Sequence, residues 1–286
     1  MAEPKKQVEP LIRNVSDTAR WVAVYRARET ERTDAMFRDP FARRLAGERG
    51  EQIAQSMRAA GTSDWSFITR TYLIDRFVTA KVQEGVDMVV NMAAGLDTRP
   101  YRMDLPRSLQ WVEVDLDEIL TYKEQILGDE KPVCSLERVR LDLANVGARR
   151  ELFAQLGRRA KKALVITEGL VIYLTAEAVS ELAKDLAGVP AFAFWVLDLA
   201  SPGLMRMLQK RMAQRLNQAP FKFAPAEGPG FFTRLGWKPA DVQSLLKNAA
   251  ALKRLPFFLW LVSFLPETEK SRRDRPWTGV CLMEKQ

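Results

Sequence analysis

Asp87–Arg99 reads DMVVNMAAGLDTR, and its two halves belong to different kinds of structure. Asp87 to Ala93 is a short, largely apolar run that lacks the polar alternation of a half-wet strand. Such a run predicts a strand buried on both faces, as in a parallel sheet. The small residues Ala93, Ala94 and Gly95 then supply a turn. Further runs follow the same plan: Leu109–Val114 ending at Asp115, Leu136–Leu141 ending at Asp142, Ala163–Thr167 ending at Glu168, and Ala191–Leu197 ending at Asp198. Helical segments separate them, at Asp117–Leu127, at Ala148–Leu156, and from Thr175 onward, where Val179, Leu182, Ala183 and Leu186 share one face. Strands alternating with amphipathic helices predict an α/β fold with a parallel sheet and helices on both sides.

Upstream, the chain reads as helical. Ser16 or Asp17 is placed to cap a helix through ARWVAVYRARETER, with Trp21, Val24, Tyr25 and Arg28 on one face. Pro40 opens a second helix through Phe41 and Leu45. Asp64 precedes a third, with Ile74, Phe77, Val78 and Val82 in helical spacing and Gly85 as its stop. Residues 1–14 are polar and read as a loose tail, not a signal peptide. The division expected is 15–85 for the N-terminal helices, 86–200 for the core and 201–286 for a cap and the last strands, all in one domain.

Beyond Asp198 the alternation breaks. Ser201–Leu216 predicts a basic, methionine-rich helix, and Pro220–Gly230 a loop. Two readings stay open for this insertion, a cap over the site and ordinary helix packing. Asp241–Leu252 reads as a helix. Leu255–Leu265, LPFFLWLVSFL, is too short to span a bilayer; it reads as a buried element, with a surface that meets an apolar substrate, partner or membrane as the alternative. Thr278–Met283 reads as the last strand, and the strand before it has no clear place.

Composition narrows the function. With 47% hydrophobic and 28% charged residues the chain is globular. The net charge of +8 suits nucleic acid, an anionic membrane or an acidic small molecule. The densest basic cluster, Arg158, Arg159, Lys161 and Lys162, has no interleaved aromatics, which points away from nucleic acid. Two cysteines make no disulfide framework and no zinc pair, so a cytoplasmic setting is expected and no metal. There is no histidine. That removes Ser-His-Asp triads, histidine metal sites and the usual general base near neutral pH.

The predicted strands end in Asp115, Asp142, Glu168 and Asp198. In an open parallel sheet the ligand lies outside those ends. Carboxylates gathered there call for a ligand with hydroxyls, amino groups or positive charge. The dinucleotide fingerprint needs three glycines, and this turn has only Gly95, which argues against a dehydrogenase. Asp115 follows Gly95 at the distance where an acid accepts ribose hydroxyls.

NMAAGLDTRPYRMDLP, WVEVDLDEILTYKEQIL and ALVITEGLVIYL together resemble the leucine carboxyl methyltransferase family. VSDTARWVAVYRARETERTDAMFRDPFARRLAG is similar to a large bacterial branch of it. The resemblance covers roughly Val15 to Leu186. It implies a Rossmann-like class I methyltransferase fold: a mostly parallel seven-stranded sheet, an N-terminal helical cap and an insertion after the fifth strand. It also implies S-adenosyl-L-methionine as cofactor. Gly95, beside Ala93 in the turn, would let the backbone approach the methionine part. Asp115, with Leu116 next to it, would bind the ribose diol, and Asp142 and Leu143 the adenine end. Glu168 would face the amino group or sulfonium surroundings, and Arg70 would pair with the cofactor carboxylate. Ala93 stands where many members have glycine, and an ordinary backbone conformation is expected for it. Asp97 is expected to be structural.

The reading is O-methylation of a carboxylate or hydroxyl on a small molecule or peptide terminus. A carboxylate acceptor is already ionised and needs no base, only cations, for which Arg26, Arg99 and Arg102 are candidates. A hydroxyl acceptor would need Tyr173 or an aspartate as base. Phe221, Phe223, Phe231, Phe232 and Trp237 are candidates for an apolar acceptor pocket. The alternatives are an RNA-modifying methyltransferase and a cofactor-binding protein without turnover.

Overall fold

The structure, a computed structural model, describes Ile12 and residues 15–59, 64–212, 219–268 and 273–286. Its strands are β1 (Met88–Met92), β2 (Gln110–Asp115), β3 (Ser135–Arg140), β4 (Ala163–Thr167), β5 (Phe192–Ala200), β6 (Trp237–Ser244) and β7 (Thr278–Lys285). They form one seven-stranded sheet in the order β3-β2-β1-β4-β5-β7-β6. β1 to β5 run parallel, with Val90 opposite Val112 on one side and Val165 on the other. β7 is antiparallel to both β5 and β6.

β1 is buried along its whole length because both faces are covered. Met88, Val90 and Met92 join a cluster with Leu152, Phe153 and Leu156 of α6 (Val146–Arg159) and with Val179, Leu182, Ala183 and Leu186 of α7 (Ala176–Ala187). Val89 points the other way, into Leu73, Ile74 and Phe77 of α3 (Trp65–Gln83) and Leu245 of α9 (Leu245–Ala251). Each such side chain taken fully out of water stabilises the fold by about 1.5–3 kcal/mol. A third cluster joins α1 (Val15–Thr30) and α2 (Ala42–Ala59) to Ile119 and Leu127 of α5 (Asp117–Leu127). These are the expected N-terminal helices, set over the strand ends. The remaining helices are α4 (Arg99–Arg102), α8 (Pro202–Met212) and α10 (Phe257–Val262).

Local signals act as their chemistry predicts. Thr175 caps α7 by accepting from the Ala178 amide at 3.2 Å, and Asn145 caps α6 through Ala148 at 3.1 Å. Gly85, just past α3, takes φ +90°. Cys134 and Cys281 are buried, and no disulfide joins them.

Other expectations are corrected. α1 starts at Val15, so Ser16 and Asp17 lie in its first turn and do not precede it. Ile12, placed by the sequence in a loose tail, is only 3% exposed; the rest of residues 1–14 lies outside the described residues. The predicted helix at Asp241–Leu252 is half wrong, because β6 runs through Ser244 and only then does α9 begin. Ser244 is the switch, its hydroxyl accepting from Lys247 at 3.4 Å. β6 is the missing sixth strand. It is an edge strand with a register shift between Pro239 and Asp241, and an edge or a bulge is where a sheet tolerates proline. Asp198 does not follow β5 but lies inside it, opposite Val280. Leu255–Leu265 is not buried: α10 has no buried residue, and Phe257 is 74% exposed. The three cores close without it. The predicted helix to Leu216 is described only to Met212.

Candidate active site

The strand order reverses at β1, which has β2 on one side and β4 on the other. That is the switch point at which open sheets bind ligands. A cavity of about 1110 Å³ lies there, over the carboxyl ends of β1, β2, β4 and β5. Arg70, Ala93, Gly95, Asp115, Leu116, Asp142, Leu143 and Glu168 all line it.

The turn after β1 is tightly held. Gly95 has φ +50°, and a side chain there would also press on Ala19 of α1 at 3.2 Å. Its amide donates to Asp115 Oδ2 at 2.6 Å, while the Leu116 amide donates to Asp115 Oδ1 at 2.8 Å. Arg26 of α1 donates to the Leu96 carbonyl at 2.5 Å and to Asp39 at 2.8 Å, tying the cap to this turn. Ala93 departs from expectation: its φ is +51°, a left-handed conformation that a Cβ makes costly.

Burial pushes the Asp115 carboxyl above the usual aspartate range, against the pull of the two amides. Among the described residues no cation pairs with Asp115 or with Asp142, whose side chain accepts from the Ala144 amide at 2.9 Å.

Deeper in the site lies a raft of charges. Glu168 accepts from Arg70 Nε at 3.0 Å and from Arg99 Nη1 at 2.9 Å. Arg70 also reaches Asp198 at 3.0 Å, and Asp198 accepts from the Gly169 amide at 2.6 Å. Arg99 continues to Asp97 at 2.6 Å and Asp75 at 2.7 Å, and Arg102 holds Asp75 at 2.7 Å. Burial disfavours ionisation of Glu168, but Arg99 and Arg70 outweigh it and hold the carboxyl below its usual range. Asp97 is likewise held well down, chiefly by Arg99 against its own burial. Asp97 also accepts from Asn91 Nδ2 at 2.7 Å, which fastens the turn to β1.

The three arginines considered for the acceptor, Arg26, Arg99 and Arg102, are therefore committed to internal carboxylates. Arg211 and Arg275 also line the cavity, and no carboxylate pairs with either among the described residues. Tyr173 lies on the wall, 3.5 Å from the Thr18 hydroxyl, and burial raises its pKa, so it is a poor base. Of the proposed aromatic lining, Phe221 and Phe223 face the cavity, whereas Phe231, Phe232 and Trp237 are core. Sequence reasoning missed Asp75. It lies within an amphipathic helix, and nothing local signals its partners on α4.

The residues present fit a ligand with a ribose, an amino-acid end and positive charge. Asp115 presents an unneutralised carboxylate at the end of β2. The Gly95 backbone passes close beside it, and the raft gathers three guanidiniums against the four carboxylates Asp75, Asp97, Glu168 and Asp198.

The family model for leucine carboxyl methyltransferase matches residues 19–187. A Frankia alni protein named "Putative S-adenosyl-L-methionine-dependent methyltransferase" is 32% identical over 266 residues, covering 89% of this chain and 92% of its own. A Streptomyces avermitilis protein of the same description is 32% identical over 271 residues, covering 89% and 93%. The crystal structure of a DUF574 family protein from Streptomyces avermitilis shares the fold, with a TM-score of 0.60, 14% identity, and coverage of 92% of this chain and 97% of that one. With its doubly wound sheet and the acidic strand ends at its switch point, this chain belongs to the leucine carboxyl methyltransferase family and is an S-adenosyl-L-methionine-dependent methyltransferase.

Proposed function

We propose that the enzyme methylates an oxygen, a carboxylate or a hydroxyl, on a small molecule or a peptide terminus. The observation that carries this reading is the chemistry of the cavity wall, which among the described residues holds a raft of paired charges and carboxylates already given to the cofactor in this reading. The chain has no histidine, and the half-buried Tyr173 has a raised pKa. A carboxylate acceptor needs no deprotonation, and among the described residues Arg211 and Arg275 are the lining cations without a carboxylate partner, placed to meet it. At about 1110 Å³ the cavity exceeds the roughly 300–1,000 Å³ of a site for one drug-sized ligand. That leaves space for an acceptor beside the cofactor. Residues 15–286 act as one domain in this reading, with a small molecule or peptide as acceptor in preference to nucleic acid.

S-adenosyl-L-methionine supplies an activated methyl group for in-line displacement. The chain's part is alignment and exclusion of water. Asp115 accepts the ribose diol with an orientation already fixed by the Gly95 and Leu116 amides. Asp142 and Leu143 hold the adenine end. Gly95 brings the backbone against the methionine part. Glu168 and Arg70 orient the amino and carboxylate groups. Trp21 and Phe67, with ring centroids 4.8 Å apart, close the N-terminal wall against water.

The test is calorimetric titration with S-adenosyl-L-methionine and S-adenosyl-L-homocysteine, followed by an acceptor screen of carboxylic acids against alcohols and phenols. Loss of one charged hydrogen-bonding group is worth about 1.5–3 kcal/mol. Asp115→Ala therefore weakens cofactor binding by about 10- to 150-fold. Methyl esters or ethers are the expected products. Transfer to nitrogen, or to transfer RNA with a steep salt dependence, refutes the proposal.

A further inference from the structure

α10 is unusual for a surface helix because both of its sides are apolar. Phe258, Leu259, Val262 and Leu265 line the cavity mouth. Phe257, Trp260, Leu261 and Phe264 do not, and they recur at the i, i+3, i+4, i+7 spacing of a single helical face. They are 74%, 41%, 52% and 68% exposed. Trp260 stacks on Phe257 with centroids 6.1 Å apart and meets Phe264 edge-on at 4.8 Å, so the patch is continuous. A contiguous exposed apolar patch of this kind marks an interaction surface.

The flanking charge selects the occupant. Lys247 and Lys253 before α10, and Arg273 and Arg275 after it, are exposed, as is Arg211, which shares the cavity mouth. Between Lys247 and β7 the exposed acid among the described residues is Asp274. Glu267 is turned inward, accepting from Ser244 and from the Trp277 indole. Aromatic and aliphatic side chains on one face, with basic residues around them, are the composition that seats a helix in the headgroup region of an anionic bilayer. We propose that α10 docks the enzyme on an anionic lipid surface, with the mouth of the cavity turned toward the lipid.

The probes are vesicles of phosphatidylcholine with and without phosphatidylglycerol, tested with the full chain by co-sedimentation. The expected result is binding to the anionic vesicles, at least tenfold weaker to phosphatidylcholine alone, and weakened by raising salt from 0.05 to about 0.5 M. A Phe257→Ser, Trp260→Ser, Phe264→Ser variant should lose at least tenfold in partitioning, since one buried aromatic alone is worth that factor. Its affinity for S-adenosyl-L-homocysteine should be unchanged, which shows that it is folded. A single Phe257→Ser variant should show an intermediate loss. Three outcomes overturn the proposal. One is protein that stays in the supernatant with anionic vesicles, and another is variants that bind vesicles as wild type does. The third is a dimer in sedimentation that the triple variant breaks, with no vesicle binding. Cofactor titration separates these from any failure of the methyltransferase reading.

Discussion

Arg99→Met tests whether the charge raft holds the site together. The Arg99 side chain is 2% exposed and faces Asp75, Asp97 and Glu168 at 2.7, 2.6 and 2.9 Å. Methionine keeps the stem and removes the charge. Asp75 then retains Arg102, and Glu168 retains Arg70. Asp97 retains only neutral donors, Asn91 Nδ2 and the residue 99 amide. Leaving a buried carboxylate uncompensated costs about 3–5 kcal/mol. With roughly 2–4 °C lost per kcal/mol in a chain of this size, the midpoint falls by about 6–20 °C. The sign of the pH dependence separates this from a packing defect. In the wild type Asp97 and Glu168 are held below their usual values. Their stabilisation is thus complete above about pH 4, the unfolded-state value, and is lost only in stronger acid. In the variant the cations that oppose the burial of Asp97 are only Lys123 and Arg102, so its carboxyl is expected above its unfolded value and takes up a proton as the solution is acidified. Each unit of upward shift returns about 1.4 kcal/mol. Urea unfolding of both proteins at pH 8, 7, 6 and 5 should show a gap that narrows by at least that much. A gap under about 1 kcal/mol at pH 8, or one that stays constant with pH, refutes the reasoning.

Ala93→Gly should stabilise the protein by about 0.5–1 kcal/mol, the relief of a left-handed alanine less the extra chain entropy of glycine, read by thermal unfolding; a lower midpoint would mean that the Ala93 methyl packs favourably. Cofactor affinity should fall with acid through a midpoint above the ordinary aspartate value, because a protonated Asp115 has lost one acceptor oxygen for the ribose diol. The same raised pKa acts on stability with the opposite sign. Protonated Asp115 carries no burial penalty, so its contribution improves as pH falls through the folded-state value and is flat below the unfolded one. Calorimetry and unfolding at matched pH values distinguish the two trends, and parallel trends would remove Asp115 from the ribose site.

The parallel half of the sheet was legible because its signals are local. A run such as MVVNM is buried on both faces, and the turn or acid at the close of β1, β2, β3 and β4 marks a carboxyl end, whereas Asp198 lies inside β5. Seven of the eight residues proposed for the cofactor meet in one cavity because those ends converge at the switch point, and Arg70 reaches it from α3. The failures share a different property. β6 carries Lys238, Pro239 and Asp241, and it is a strand only because β7 offers it a partner. LPFFLWLVSFL has the composition of a core, and nothing within the run says that the core is already filled. Arg70 meets Glu168 across 98 residues of sequence and Arg99 meets Asp75 across 24, so the raft is invisible until the chain is folded. The left-handed φ of Ala93 is likewise not legible, since alanine carries no local signal for it.

The raft and the acidic rim have different work in the proposed site. Within the raft the guanidiniums nearly cancel the carboxylates, and every group except Arg102, which makes both its hydrogen bonds to Asp75, is held by two or more partners, so the raft fixes geometry at little electrostatic expense to a ligand. Asp115 and Asp142 are held only by amides, so their charge remains directed at whatever enters. Such a rim attracts a sulfonium beside an ammonium and has a weaker hold once the sulfonium has become a neutral thioether. On the proposed roles, transfer of the methyl group itself loosens the spent cofactor. The preference for substrate over product should then shrink as salt screens the rim, while the hydrogen bonds from the Gly95 and Leu116 amides keep Asp115 in place for the next molecule.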